Sequence, residues 1–276
     1  MAASTTATAA RCRRARLVGK RVCGPDAFVG EVELGEDPGP LAPGQFAMLS
    51  PGDGGGPCIA RPFSVFDRTG ERRFTFLVQV LGPGTRALEA VPVGGDWTVT
   101  MPLGNGFEVA PTARRAVFVA GGVGSAPFLS YARMRAAEGA GRRTWMLYGA
   151  RTADRLYDRD AFEREGVEVL CATQDGSAGP RGTVLDLLAR ELDAGRIPRD
   201  ALFCGCGPEG LLHAFASFAR TRGLQAELSL ETYMGCGWGG CNACPVPTEP
   251  TGALGAWPWA KTCTQGPVFP LSDIRI

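Results

Sequence analysis

Cys236, Cys241, Cys244 and Cys263 stand in the order C-x4-C-x2-C-x18-C. That is the plant-type [2Fe–2S] spacing, in which one tight loop supplies three thiolates and a later segment brings the fourth. Such a cluster moves one electron at a time, so the run marks an electron carrier. The loop 235–241 is rich in glycine, which lets backbone N–H groups close on sulfur and help set the cluster's potential. Two other readings compete for the same thiols. Structural zinc usually takes two C-x2-C pairs, and only Cys241 and Cys244 form one. Free cysteine is also among the most buried residue types; three cysteines within nine glycine-rich residues argue against that.

Other groups carry weaker signals. Arg61-Pro62-Phe63-Ser64 joins a guanidinium, which can grip a pyrophosphate, to a hydroxyl that can bond a flavin edge or a phosphate. It can equally be a turn with a solvated charge. Gly82-Pro83-Gly84-Thr85 opens a helical turn whose free N–H groups favour phosphate. Gly121-Gly122-Val123-Gly124-Ser125 runs from a strand into a helix, the context of a dinucleotide pyrophosphate, although it is not G-x-G-x-x-G. Cys204-Gly205-Cys206-Gly207-Pro208 ends a later strand, where Cys206 could approach a nicotinamide. These glycines also serve plain close packing, and a CGC pair is too tight for disulfide redox chemistry. His213, the single histidine, reads as a structural helix residue.

The elements that must position these groups change character along the chain. Residues 1–15, arginine-rich and free of acid, read as a flexible tail or a targeting segment. Residues 16–110 hold short strands (28–34, 45–50, 73–80, 96–100) broken by Gly and Pro turns, the pattern of a small antiparallel barrel. Over 111–226 strands near 116–120, 144–148, 167–173 and 203 alternate with helices over 126–138, 155–165, 184–193 and 209–220. That predicts a parallel sheet with helices on both faces. Thr183 with Asp186 suits a helix start, Pro127 a first turn, and Gly139 and Gly195 helix stops. Residues 227–276 carry the cysteines. The predicted class is therefore a multidomain β plus α/β protein.

Length and charge exclude some partners. The 276 residues are 45% hydrophobic, enough for two or three compact units, and the net charge of +1 leaves no basic stripe for nucleic acid. No apolar run is long enough to span a bilayer. Cys12, Cys23, Cys58, Cys171, Cys204 and Cys206 follow no disulfide framework and no signal peptide is recognised, which fits a reducing, cytoplasmic setting.

The strings RPFS (61–64), GPGT (82–85), PLGNGF (102–107), GGVGSAPFLS (121–130), YGAR (148–151), ATQDGS (172–177), CGP (206–208), LETYMGCGWGGCNAC (230–244) and KTCTQGPVF (261–269) together resemble one family. It is the electron transfer subunits of NAD-dependent, class 1B dihydroorotate dehydrogenase, within the wider ferredoxin reductase-like group. The resemblance implies an FAD-binding barrel, an NAD-binding domain and a C-terminal [2Fe–2S] domain. It implies FAD contacts at Arg61, Pro62, Phe63, Ser64, Leu77, Val78, Gln79, Gly84 and Thr85. Gly121, Gly122, Gly124 and Cys206 would border the nicotinamide, and Cys236, Cys241, Cys244 and Cys263 would hold the cluster.

Two departures stand out: Gln79 occupies a position where relatives commonly carry a basic residue, and the stretch between Cys244 and Cys263 is long and proline-rich. An Asp175 carboxylate near the ribose would favour NAD; Arg151 argues the reverse. The implied partner is an FMN-containing catalytic subunit that oxidises dihydroorotate, in a heterotetramer of two of each, with electrons passing through cluster and FAD to NAD+. Similar subunits of hydrogenase, sulfide dehydrogenase and ferredoxin–NADP reductase complexes form the competing enzyme reading. A non-catalytic zinc or redox-sensing module is the alternative of another class.

Overall fold

The structure is a computed structural model that describes residues 10–54, 56–57, 59–108 and 115–276. The sixth scattered thiol, Cys58, lies outside the described residues; the other nine cysteines are free of disulfides.

Strands β1 (Arg11–Gly24), β2 (Ala27–Leu34), β3 (Phe46–Pro51), β4 (Arg61–Ser64), β5 (Asp67–Arg68), β6 (Arg73–Gln79) and β7 (Asp96–Leu103) form one antiparallel sheet. Its order is β4-β3-β7-β1-β2-β6-β5, with helix α1 (Pro83–Ala90) between β6 and β7. Alternate side chains turn inward, as a strand's period of two requires, and Leu17, Phe28, Val32, Phe74, Phe76, Trp97 and Val99 build the barrel core. The C-terminal end of the tail expected over residues 1–15 is strand instead. From Arg11 the chain is already β1, paired along β7 from Arg11↔Met101 to Arg16↔Asp96. Ala15 and Leu17 are buried, and Arg13 donates to the Met101 carbonyl at 3.0 Å. A run of arginines reads as solvated, yet in a strand with a buried and an exposed face each can lie along the surface while its neighbour fills the core.

The second unit alternates as predicted: β8 (Ala116–Gly121), α2 (Phe128–Ala137), β9 (Thr144–Ala150), α3 (Arg159–Arg164), β10 (Glu168–Thr173), α4 (Val184–Asp193), β11 (Leu202–Cys206), α5 (Glu209–Arg222) and β12 (Ala226–Ser229). The C-terminal stretch adds β13 (Pro245–Pro247), β14 (Trp259–Lys261), α6 (Thr262–Gln265) and β15 (Val268–Pro270). The sheet order is β10-β9-β8-β11-β12-β15, parallel except for β15, which runs antiparallel on β12. Ala116, Phe118 and Ala120 of β8 face α2 and the barrel, while Val117 and Val119 face α4 and α5. Thr183 caps α4 reciprocally with Asp186, its hydroxyl accepting from the Asp186 N–H at 3.2 Å.

Two expectations are corrected. The helix expected over 155–165 is only Arg159–Arg164, because Asp158 is left-handed (φ 55) and buried Leu156 and Tyr157 turn inward before it. The boundary expected at 227 falls inside β12, so the cysteine-bearing segment shares a sheet with the α/β unit. No helix among the described residues is long and apolar enough to cross a membrane.

From β8 the chain builds one side of the sheet through β9 and β10, then returns to the other side through β11 and β12. The carboxyl ends of β8 and β11, where that order reverses, are where open α/β sheets bind ligands. The barrel closes over this point. Asn105, after β7, clamps the C-terminal segment there: its Nδ2 donates to the carbonyls of Gln265 (3.0 Å) and Val268 (2.9 Å), and its Oδ1 accepts from the Val268 N–H (3.1 Å). Asn105→Ala is expected to lower the unfolding free energy by about 1–2 kcal/mol and to speed amide exchange at Val268 more than at Val99 in the barrel core. Equal protection of Val268 in both proteins would show that the clamp holds nothing.

Candidate flavin, nicotinamide and iron–sulfur site

A cavity of about 270 Å3 lies where the three segments meet. The barrel contributes Pro62, Phe63 and Ser64 of β4, Leu77 and Gln79 of β6, and Thr85 of α1. The α/β unit contributes Val123, Ala126, Pro127 and Cys206, and the segment from Ser229 to Met234 closes the third side. Thr232 Oγ1 is buried in this wall with no hydrogen-bond partner. A buried hydroxyl left unsatisfied is unfavourable by roughly 1–3 kcal/mol, so a polar ligand edge fits there.

The expected flavin residues divide. Val78 does not line the cavity: strand alternation sends its side chain into the barrel core beside Phe28 and Phe76. Arg61 and Gly84 lie beyond the lining but against each other, since a Cβ on Gly84 would stand 3.3 Å from Arg61 Nε. A guanidinium beside the first turn of α1 combines two phosphate-binding devices. Thr85 is committed to the turn itself, its Oγ1 accepting from the N–H groups of Leu81 (2.9 Å) and Gly82 (3.1 Å).

Of the residues expected to border the nicotinamide, Gly121 and Gly124 serve close packing of the two strand-end loops. A Cβ on Gly124 would lie 2.5 Å from the Cys206 carbonyl oxygen, and one on Gly121 2.7 Å from Leu211. Gly122 faces open space at φ +54. Burial pushes the Cys206 thiol far above its ordinary range, so it stands neutral in the cavity wall. Glu231 is the residue that sequence reasoning missed. Its side chain still meets solvent in the open cavity, yet the protein around the carboxyl desolvates it and raises its pKa. Its place two residues after β12, a parallel strand ending at the cavity, was the available signal. Asp175 is exposed, and its carboxylate accepts from Ser177 N (3.0 Å) and Oγ (2.7 Å). Arg151 is exposed as well. His213 sits on the exposed face of α5, 3.6 Å from Glu209.

The four cluster cysteines come together as two pairs. Cys244 and Cys263 are buried with their sulfurs 3.3 Å apart. Cys236 Sγ accepts the Cys241 N–H at 3.4 Å. Burial raises the Cys236 pKa, but N–H donation from Cys241, Trp238 and Gly240 outweighs it and brings the value down to about 6. Burial, reinforced by Cys244, pushes Cys263 up to about 12. A two-iron cluster takes two thiolates on each iron, so paired sulfurs with converging N–H donors fit it. Among the described residues, no three His, Cys, Asp or Glu side chains group around a single-ion position. The inner pair packs on Phe46, Met48 and Leu103 of the barrel and on Met234. Phe46 and Met234 also line the cavity, so the same two side chains separate cavity from cysteines.

Residues 231–275 match the iron-sulfur cluster binding domain of dihydroorotate dehydrogenase B, and residues 118–217 match the oxidoreductase NAD-binding domain. The dihydroorotate dehydrogenase B (NAD(+)) electron transfer subunit of Bacillus cereus (strain Q1) is 33% identical over 237 residues, covering 84% of this chain and 86% of that protein. The chain belongs to the family of dihydroorotate dehydrogenase B electron transfer subunits. The counterpart in Bacillus anthracis (strain CDC 684 / NRRL 3495) matches equally, at 33% over 84% of this chain and 86% of its own length. Among solved structures, an NADH-dependent reduced ferredoxin–NADP oxidoreductase superposes with a TM-score of 0.79 at 27% identity, covering 95% of this chain and 89% of that one. The ferredoxin reductase of carbazole 1,9a-dioxygenase shares the fold, with a TM-score of 0.68 at 19% identity over 79% of this chain and 68% of its own. The predicted fold class stands, as does the reading of an NAD-linked oxidoreductase subunit with an iron–sulfur domain.

Within this family fold the cluster loop depends on Gly237, which has φ +87 and would set a Cβ 2.5 Å from Met48 Cγ. Gly237→Ala is expected to strain the loop by about 1–3 kcal/mol and to yield protein with less iron and acid-labile sulfide per chain. Full iron content in that variant would show that the loop does not need this close approach.

Proposed function

We propose that this chain passes electrons between an FMN-containing dihydroorotate-oxidising subunit and NAD+, in a heterotetramer of two of each. One observation carries the reading: a single cavity is walled by the barrel, by the ends of β8 and β11, and by the segment leading into the cysteines. Bound in this arrangement, FAD supplies exchange of either one electron or a hydride, and the cluster supplies single-electron transfer. Arg61 and the first turn of α1 hold the FAD pyrophosphate, with Gly84 allowing the guanidinium to lie close. Pro62, Phe63 and Leu77 form the apolar wall for the flavin, and the hydroxyls of Ser64 and Thr232 bond its polar edges. Neutral Cys206 offers the nicotinamide a compact, uncharged wall beside Gly122. Cys236, Cys241, Cys244 and Cys263 hold the cluster as two pairs, and their inner pair stands one side chain from the cavity.

Cys241 is exposed, and exposed aromatic side chains lie along this part of the chain: Tyr233, Trp238, Trp257 and Trp259. Lys261 Nζ, donating to the Gly239 carbonyl at 2.9 Å, ties β14 to the cluster loop. An aromatic rim of this kind suits a partner surface, and the catalytic subunit docks there in this reading. Both subunits are then at work in the cytoplasm.

Purified alone, the chain should oxidise NADH with an artificial electron acceptor and leave dihydroorotate untouched; turnover of dihydroorotate by the isolated chain would overturn the subunit assignment. Trp259→Ala should weaken association with the catalytic subunit, read as a raised Kd, while NADH oxidation with the artificial acceptor is retained. The similarity to the reduced ferredoxin–NADP oxidoreductase over 95% of this chain favours a second reading, a subunit of that kind of complex. The protein that co-purifies with the native chain separates the two: an FMN-bearing dihydroorotate oxidiser supports the first, a ferredoxin-linked partner the second.

A further inference from the structure

Gln79 stands at the cavity mouth of β6, but its amide is not free to turn. Nε2 donates to Asp26 Oδ2 at 2.9 Å and lies 3.3 Å from the Tyr157 hydroxyl. Asp26 belongs to the turn between β1 and β2, and its carbonyl accepts the Val80 N–H at 2.7 Å, fastening that turn to the end of β6. Its carboxylate also accepts from Tyr157 Oη at 2.6 Å and from Arg155 Nη1 at 2.5 Å, both from the α/β unit. Burial alone would raise the Asp26 pKa, but the hydrogen bonds from Tyr157, Gln79 and Arg155 hold it below the usual carboxylate value. Asp26 is therefore charged at neutral pH and can only accept. Tyr157 has spent its single proton on Asp26, so it faces Gln79 as an acceptor too. Both neighbours demand the NH2 end of the amide, which leaves only the carbonyl oxygen for the cavity.

We propose that Asp26 is a positioning residue that locks Gln79 with its carbonyl oxygen toward the flavin, so that Gln79 takes a flavin donor, a ring N–H or ribityl hydroxyl, in place of a phosphate oxygen. This rests on the reading of the cavity as the FAD site. A basic side chain at this position would seek phosphate; an amide held by a carboxylate presents the opposite polarity. The lock is supplied from the neighbouring unit. The Tyr157 ring packs on Gly24, where a Cβ would approach to 2.5 Å. The Tyr157 carbonyl lies 3.2 Å from Tyr148 Oη, which is also 2.9 Å from both the Gly122 carbonyl and Ser125 Oγ. One run of contacts thus joins the glycine loop after β8 to the amide in the flavin wall.

The test is a double-mutant cycle on the full chain, reading FAD affinity by titration of the flavin-stripped protein and the shape of the visible flavin band. Asp26→Asn keeps the size but can offer an NH2 to Gln79, releasing its orientation. It is expected to weaken FAD binding about tenfold and to alter the band. Gln79→Leu should weaken binding similarly, and the double variant should be no worse than either single one. Tyr157→Phe, which keeps the ring against Gly24, should move both readouts in the same direction. Additive losses, or a lowered Tm with unchanged FAD affinity and band in Asp26→Asn, would overturn the proposal and leave Asp26 a structural latch. Failure of the unaltered chain to bind FAD would instead overturn the reading of the cavity.

Discussion

The arrangement depends on the close packing of the cysteine loop against the barrel. Gly237 lets the loop backbone come down on Met48, and the buried pair Cys244 and Cys263 then rests on Phe46, Met48 and Leu103. Electron transfer is steep in distance, so the side chains between two redox sites must be few and fixed. Phe46 and Met234 each touch the cavity on one side and the cysteines on the other. The antiparallel strand β15 and the Asn105 clamp hold the other end of the same segment. The C-terminal stretch is thus anchored at both ends, with Cys244 and Cys263 against the barrel.

The cavity itself arises from topology. Two parallel strand ends separate where the chain reverses its direction of sheet growth, and their loops can approach only because Gly124 lacks a side chain facing the Cys206 carbonyl. The barrel supplies the opposite wall through Pro62, Phe63 and Ser64 of β4 and Leu77 and Gln79 of β6. Cys206 is neutral by burial, and the Glu231 carboxyl has a raised pKa for the same reason. Asp26 remains charged because Arg155 and two further donors surround it.

Much of this was legible from residue types. The cysteine spacing, the strand–helix alternation, the Thr183 cap and the glycine loop after β8 are local signals whose meaning depends on neighbours within a few residues. The misreadings share a physical cause. Arg11 to Ala15 look solvated until β7 pairs with them; residues 155–158 look helical until Tyr157 is drawn across to Asp26. Val78, grouped with Leu77 and Gln79 by motif, turns its side chain into the barrel core and leaves only its backbone for the expected flavin contact.

By itself the sequence pointed to an iron–sulfur segment after a β and an α/β unit and to the chemistry they could share, because thiolate spacing and hydrophobic period act along the chain. Only the tertiary structure decided that the thiols pair two and two, that Glu231 and Thr232 enter the cavity, and that Gln79 shows it an oxygen. Those properties depend on partners between 5 and 78 residues distant, such as Cys241 for Cys236 and Tyr157 for Gln79. Burial and donor direction exist only once such partners are in place.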